Sequence, residues 1–405
     1  MSRRQPSRGH AIATRLRTEF RRWARGLSPE GILYLQSLSD YRIAGGNHVE
    51  MLVDGTRAIP AMIETVRAAR RRILYETYIH RNDATGRAFA DALREAALRG
   101  VEVFVIYDDF GSNEARELLD GLVTVGAHVL PFHPVTLLQS FRKLNARNHR
   151  KILVADNRIG FTGGCNIGDE YMDAPGRPAF RDTHLRIEGP AVHQLTLSFF
   201  KCWFEQTGER INPISPPVPA ESGRSKVLIT TETLRRERAA LRRSYIFAFK
   251  AARERLLITN SYFVPDRKIR EAIISAARRG IRVRLIIPGV SDVPMTRFAS
   301  WGIYAELLRA GVEIYEYLGR ILHAKTAVID QGLVICGSTN LDHRSFLHNQ
   351  ELQAMVFDTG VAEQFALQFE QDLRDSDQLT PEEYEQWPWW KRLLGRFAWS
   401  LRRLM

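Results

Sequence analysis

The sequence predicts an α/β protein of two pseudo-equivalent halves, each a mixed β-sheet flanked by helices. Three observations carry that expectation. His149-Arg150-Lys151, Asp156 and Asn166 recur as His323-Ala324-Lys325, Asp330 and Asn340, every matched position displaced by one constant offset. Short apolar, β-rich runs alternate with helical stretches, as in a sheet with crossover helices. The order of elements also repeats: Arg99-Gly100-Val101 matches Arg279-Gly280-Ile281, and Gly126-Ala-His-Val129 matches Gly311-Val-Glu-Ile314. The displacements of these pairs are slightly larger than that of the motifs and differ by small insertions of the kind loops tolerate. An internal duplication explains all three.

In chain order, residues 1–27 carry eight arginines interleaved with Ile12, Leu16, Phe20, Trp23 and Leu27. The apolar positions fall on one helical face, which suits an interfacial helix on anionic lipid or a stripe packed on the domain. Ser28-Pro29-Glu30 reads as a new helix start. Residues 1–46 thus form a basic amphipathic segment, and the first half runs from 47 to 211. It should hold a helix at about 57–70, a strand Ile73–Ile79, a helix at about 86–99 ended by Gly100, and a buried strand Val101–Tyr107. A further helix precedes Gly126, and Val129-Leu130-Pro131 follows it. Residues 212–225 are a proline-rich, extended linker. The second half, 226–380, repeats the pattern with a helix at about 234–252, a strand Leu256–Asn260, a helix at 267–279 and a strand Ile281–Ile287. Residues 381–405 form a basic, aromatic tail whose apolar positions 390, 393, 394, 397, 401 and 404 trace a helical stripe.

At 405 residues, with 44% hydrophobic and 26% charged residues, the composition is that of a globular protein. The net charge of +12 suits an anionic partner, nucleic acid or acidic membrane. Cys165, Cys202 and Cys336 have no metal-binding spacing and form no disulfide framework, so they read as small packing residues in a reducing cytoplasm. No run of 18 apolar residues exists, so the chain should not span a bilayer, which leaves open that it lies on one.

The repeated motif has a chemical logic. On an extended segment, side chains two apart share a face, so His149 points with Lys151 and His323 with Lys325. Imidazole supplies a nucleophile or proton carrier, and lysine a cation for a phosphate oxygen. Asp156 and Asp330, turned to the other face, should anchor hairpin turns. Gly164, Asn166, Ser338 and Asn340 offer close backbone approach and neutral hydrogen bonds to an anion.

These residues resemble the two signature motifs of the phospholipase D superfamily. Arg147-Asn148-His149-Arg150-Lys151, Gly163-Gly164-x-Asn166 and Asp169-Glu170-Tyr171 are most similar to bacterial cardiolipin synthases of that type, over about residues 47–380. The resemblance implies two facing halves with one active site at their interface. It also implies a carboxylate downstream of each motif to orient its histidine: Asp182 after His149, and Glu351 after His323. His184 and His343 read as packing residues. Tyr262-Phe263-Val-Pro265 resembles a pocket segment, with aromatic core as the alternative.

The function implied is phosphatidyl transfer from a phospholipid donor to phosphatidylglycerol through a phosphohistidine, with phosphatidylglycerol and phosphatidylethanolamine both fitting as donor. His149 is the favoured nucleophile and His323 the acid and base, which predicts a bell-shaped pH profile. No cofactor or metal is expected, because the lysines supply the positive charge. The partners expected are phospholipids and an anionic membrane surface, not nucleic acid, with the protein peripheral on the cytoplasmic face of a bacterial inner membrane. A phosphodiesterase or nuclease of the same superfamily, and a non-catalytic membrane scaffold, are the alternatives. The two ends are expected to deliver the protein to the bilayer, and a chain without 1–27 and 386–405 to keep its fold.

Overall fold

A computed structural model describes residues 28–134, 146–212, 220–232 and 240–402. The stripe from Ile12 to Leu27, most of the linker, residues 234–239 of the helix expected at 234–252, and Leu404 lie outside the described residues.

Ser28 caps α1 (Pro29–Ser37) by accepting the Gly31 N–H. The first half then runs β1 (Ala44–Val53), α2 (Gly55–Ala68), β2 (Arg72–Thr77), α3 (Ala84–Leu98), β3 (Glu102–Asp108), the short α4 (Arg116–Asp120), β4 (His128–Phe132), β5 (Ile152–Ala155), β6 (Ile159–Gly163), β7 (Thr183–Glu188) and α5 (Val192–Thr207). The second half repeats it with β8 (Ser225–Thr231), α6 (Ala240–Ala251), β9 (Arg255–Asn260), α7 (Arg267–Arg278), β10 (Arg282–Pro288), α8 (Pro294–Arg309), β11 (Glu313–Tyr317), β12 (Lys325–Ile329), β13 (Leu333–Gly337), α9 (His343–Leu347), β14 (Leu352–Phe357) and α10 (Thr359–Arg374). An edge strand β15 (Ser376–Leu379) and helices α11 (Pro381–Glu385) and α12 (Trp389–Ser400) follow. Gly100 and Gly280, just past α3 and α7, have φ of 86° and 82°, the left-handed conformation that ends a helix cheaply only with glycine.

Strand order is β15-β11-β10-β9-β12-β13-β14-β8-β1-β7-β6-β5-β2-β3-β4. Apart from β15, it reads as a palindrome about the β8–β1 junction. The two sheets are therefore stitched into one by antiparallel pairing of β1 with β8, at Ala44 with Val227 and Asn47 with Ser225. Within each half, β2-β3-β4 and β9-β10-β11 are parallel, and the motif hairpins β5-β6 and β12-β13 are antiparallel. The palindrome places the two hairpins at equivalent positions on either side of the junction. Strand β2 is buried along its whole length, which explains its run of Ile73, Leu74 and Tyr75.

Three apolar cores result. Helices α2 and α3 cover the outer face of the first half, and α6, α7 and α8 that of the second. The third core is shared: Leu195 and Phe199 of α5 and Phe365 and Phe369 of α10 pack with β-strand residues of both halves. Ion pairs also cross the seam, Arg181 to Asp372 at 2.7 Å and Arg320 to Asp54 at 2.6 Å. The shared core, these ion pairs and the β1–β8 pairing together join the two halves.

The tail is packed on the second half. Helix α12 packs along α8, and Ala398 is fully buried with Val264 and Ala299. Leu394 and Trp399 pack on the second-half core. Deleting 386–405 would strip that core of a covering helix.

Candidate active site

Both motif histidines sit in extended segments just ahead of their strands, His149 before β5 and His323 before β12. Their backbones are held by the opposite half. His149 N–H donates to Gln350 O and His323 N–H to Arg181 O, each at 2.8 Å. These contacts belong to two parallel bridges, Asn148 with Gln350 and Arg181 with Leu322. The residues after Gln350 and Arg181 are Glu351 and Asp182, so each carboxylate is delivered to the histidine of the other half.

The pairing is accordingly crossed. His149 Nδ1 lies 3.1 Å from Glu351 Oε2 and 3.1 Å from Ser338 O. His323 Nδ1 lies 2.7 Å from Asp182 Oδ2 and 3.2 Å from the Tyr171 hydroxyl. Matching each carboxylate to the nearer upstream histidine, as chain order suggests, gives the wrong partners. An acceptor at Nδ1 places the proton there and leaves the Nε2 lone pair free, the form a nucleophile needs.

Lys151 and Lys325 each donate to the carbonyl of the histidine two residues earlier. Each also shares an aromatic ring with that histidine. Tyr78 lies 4.7 Å from the His149 ring and 5.3 Å from the Lys151 ammonium. Tyr262 lies 6.2 Å from His323 and 5.8 Å from Lys325. Histidine and lysine thus point to one side, as their spacing requires.

Burial dominates the electrostatics. It pulls His149 down to about 4, against the raising influence of Glu351. It lowers His323 as well, with Lys325 adding to the fall and Asp182 opposing it. Lys151 is drawn down to about 7, chiefly by burial, and Lys325 is lowered for the same reason. Burial alone would raise Asp182 and Glu351, but their histidine partners hold both carboxyls below the usual range. Burial thus favours the neutral form of both imidazoles in the free protein.

That sets a pH expectation. The nucleophilic imidazole must be neutral and the acid imidazole protonated. The kcat/KM of a soluble substrate should therefore rise through about 4 and fall again below the ordinary histidine value of 6.5. A bound phosphodiester favours the protonated acid, so the kcat optimum should lie higher. A kcat/KM optimum above pH 7 would contradict the placement of these groups.

Asn166 and Asn340 line the cavity onto which both histidines open, about 680 Å³ in volume. Asn166 also donates to the Tyr171 hydroxyl at 2.8 Å, and Asn340 accepts from Ser261 at 2.7 Å. Gly164 and Ser338, expected at the phosphate, lie against the two carboxylates. A Cβ on Gly164 would collide with the Asp182 carboxylate, and the Ser338 hydroxyl donates to Glu351. Asp156 and Asp330 sit at hairpin corners with φ of 54°. Asp156 accepts the backbone N–H groups of Arg70, Arg71 and Arg72, and Asp330 those of Arg253, Glu254 and Arg255. His184 is buried, and all three cysteines are buried and free. Among the described residues no cluster of three or more His, Cys, Asp or Glu side chains is arranged to hold a metal ion.

Several contributors stand outside the repeated motif positions. Tyr171 was visible only as motif context, yet it touches both His323 and Asn166. At the motif offset its counterpart in the second half is Ser345, so the asymmetry between the two motif regions was present in the sequence. Tyr78 had no motif to flag it. Tyr262 lines the cavity while Phe263 is core, so that segment does both things expected of it. Glu76 of β2 is a buried anchor that takes Asn148 at 2.6 Å and Arg150 at 2.7 Å. Glu76→Ala would strand the fully buried Arg150 cation and should cost about 3–5 kcal/mol in urea unfolding. A loss under about 1 kcal/mol would show that Arg150 finds another partner.

A duplicated α/β fold whose halves pool two histidines, two lysines and two crossed carboxylates around one cavity defines a phospholipase D-like protein built to exchange phosphodiesters. Residues 62–203 and 245–373 match the family described as Cardiolipin synthase, PLD-like domain. The chain belongs to that family and is a phosphatidyltransferase. It is 34% identical to a cardiolipin synthase of Geobacillus thermodenitrificans over 88% of this chain and 72% of that one. It is 32% identical to the major cardiolipin synthase ClsA of Bacillus subtilis over 89% of this chain and 76% of that one. The crystal structure of phosphatidylserine synthase from Haemophilus influenzae superposes with a TM-score of 0.71 at 14% identity, over 93% of this chain and all of that one, a likeness of fold. No described helix is long and apolar enough to cross a membrane.

Proposed function

We propose that this protein makes cardiolipin, moving a phosphatidyl group from a phospholipid donor onto phosphatidylglycerol through a phosphohistidine. The observation that supports it most is the pair of imidazoles, each oriented by a carboxylate of the opposite half and both open to one cavity. His149 Nε2 attacks the donor phosphorus, the bond to the headgroup oxygen breaks, and His323 gives that oxygen its proton. His323 then takes the proton of a phosphatidylglycerol hydroxyl, whose oxygen attacks phosphorus and releases His149. Lys151, Lys325, Asn166 and Asn340 stabilise the phosphoryl charge as it builds. One phosphodiester replaces another, so no external energy source or metal enters the balance.

The protein works, in this reading, peripherally at the cytoplasmic face of a membrane, where its charge of +12 suits acidic lipid. The deciding experiment adds purified protein to vesicles of phosphatidylglycerol, with or without phosphatidylethanolamine, in EDTA, and follows the lipids by mass spectrometry. A cardiolipin product in chelator is expected. No new phosphatidyl product from either donor would end the proposal, and cleavage of DNA in a parallel reaction would put a nuclease in its place.

A further inference from the structure

Where α12 crosses α8 it packs through the small residues Gly395 and Ala398, with Leu394 and Trp399 turned onto the second-half core. At its crossing with α8, a Cβ on Gly302 would come within 2.7 Å of Trp399 Cβ and 2.8 Å of Gly395 O. One on Gly395 would meet Trp301 Cβ at 2.9 Å. Trp387, just ahead of α12, packs on Trp301 and Tyr304, at 5.4 and 5.9 Å between rings. At the other end Ala398 packs with Ala299. The two helices therefore run antiparallel, and the close backbone approach fixes one against the other.

With that face spent, the remaining large residues look outward. Trp389 is 72% exposed, Trp390 54%, Leu393 56% and Phe397 60%. A helix that only covered the core would have no reason to display four such side chains. From Trp387 to the end the chain carries Lys391, Arg392, Arg396, Arg402 and Arg403 and no acidic residue. Tryptophan and phenylalanine among arginines, with no carboxylate, fit an acidic lipid interface better than a protein surface.

The face is also tied to the cavity. Val293 and Thr296, at the start of α8, line it, as does the exposed Phe110 of the first half. Val290, Val293 and Met295 are exposed beside them. The end of α12 that packs on Ala299 is the end nearest this apolar rim.

We propose that α12 is a rigid docking face for an anionic bilayer, seamed to α8 so that the bound membrane lies against the mouth of the cavity. This rests on the reading that the substrates are membrane phospholipids. The test uses the full chain with Trp390→Ser, Leu393→Ser and Phe397→Ser combined, all exposed positions outside the lining of the cavity. Sedimentation with phosphatidylglycerol vesicles should weaken at least roughly tenfold, since three interfacial apolar side chains are lost. Turnover of vesicle lipid should fall with it, while turnover of dihexanoyl phosphatidylglycerol as dissolved monomers stays at the parent level. Arg392→Gln with Arg396→Gln should weaken binding to anionic vesicles and leave neutral vesicles unaffected. Unchanged vesicle binding in the triple variant overturns the proposal. So does a change of oligomeric state in light scattering without loss of vesicle binding, which would make the face a contact between copies. If the parent protein turns over neither substrate while the triple variant still loses vesicle binding, the docking face stands and the phosphatidyl-transfer reading falls.

Discussion

His149→Ala should abolish transfer, by about 10⁴-fold or more, and leave no phosphoenzyme after brief exposure to a short-chain phosphatidyl substrate and an acid quench. His323→Ala should also be severely slowed, by about 10²–10⁴-fold, because headgroup departure loses its acid. It retains the nucleophile, however, and the second step then lacks its base, so labelled phosphatidyl-histidine should accumulate. The asymmetry that favours this assignment is local. His149 Nδ1 faces two acceptors, Glu351 and a backbone carbonyl, and burial holds the imidazole neutral with a value of about 4. His323 has a carboxylate and the Tyr171 hydroxyl in the corresponding places. Label trapped on His323 in the His149→Ala protein would reverse the roles.

Glu351→Gln and Asp182→Asn should each reduce turnover by about 10²–10⁴-fold, since an amide can present its N–H to Nδ1 and favour the wrong tautomer. Their spectroscopic signatures should be crossed. Glu351 raises the His149 value and Asp182 raises that of His323. Losing the carboxylate removes a raising influence, so the partner histidine should titrate still lower. Imidazole ¹⁵N titrations should therefore show Glu351→Gln moving His149 downward with His323 unmoved, and Asp182→Asn doing the reverse. Movement of His323 in Glu351→Gln would place the pairs within the halves. Activity alone cannot make this distinction, because all four side chains serve one cavity.

Much of the architecture was legible in one dimension because it is local or repeated. Gly100 and Gly280 mark helix ends wherever the chain leads, since the left-handed turn there is a property of the backbone. The centres of strands β2 and β9, Ile73–Tyr75 and Leu256–Ile258, are apolar because a hydrophobic core packs on each face of the sheet there, and that burial is written into their residues. The constant offset between matched positions made the motif pairs readable as one duplicated device. The stripe in the tail was equally clear, but its direction was not. A helix with large apolar residues on two sides can bury either, and the close approach of Gly302, on a distant helix, to Gly395 and Trp399 decided it.

By itself, then, the sequence determined the duplication, the run of strands and helices, and the chemical kinds of the reacting groups. Each depends on residues a few positions apart or on comparison of like with like. The tertiary structure alone decided who meets whom. Asp182 crosses to His323 and Glu351 to His149 because the bridges Arg181–Leu322 and Asn148–Gln350 join segments from opposite halves of the chain. Those bridges exist because β1 pairs with β8 and makes two sheets one. Such pairing is selected by the burial of a shared core, to which α5, α10 and both sheets contribute at once, and no stretch of chain encodes it alone.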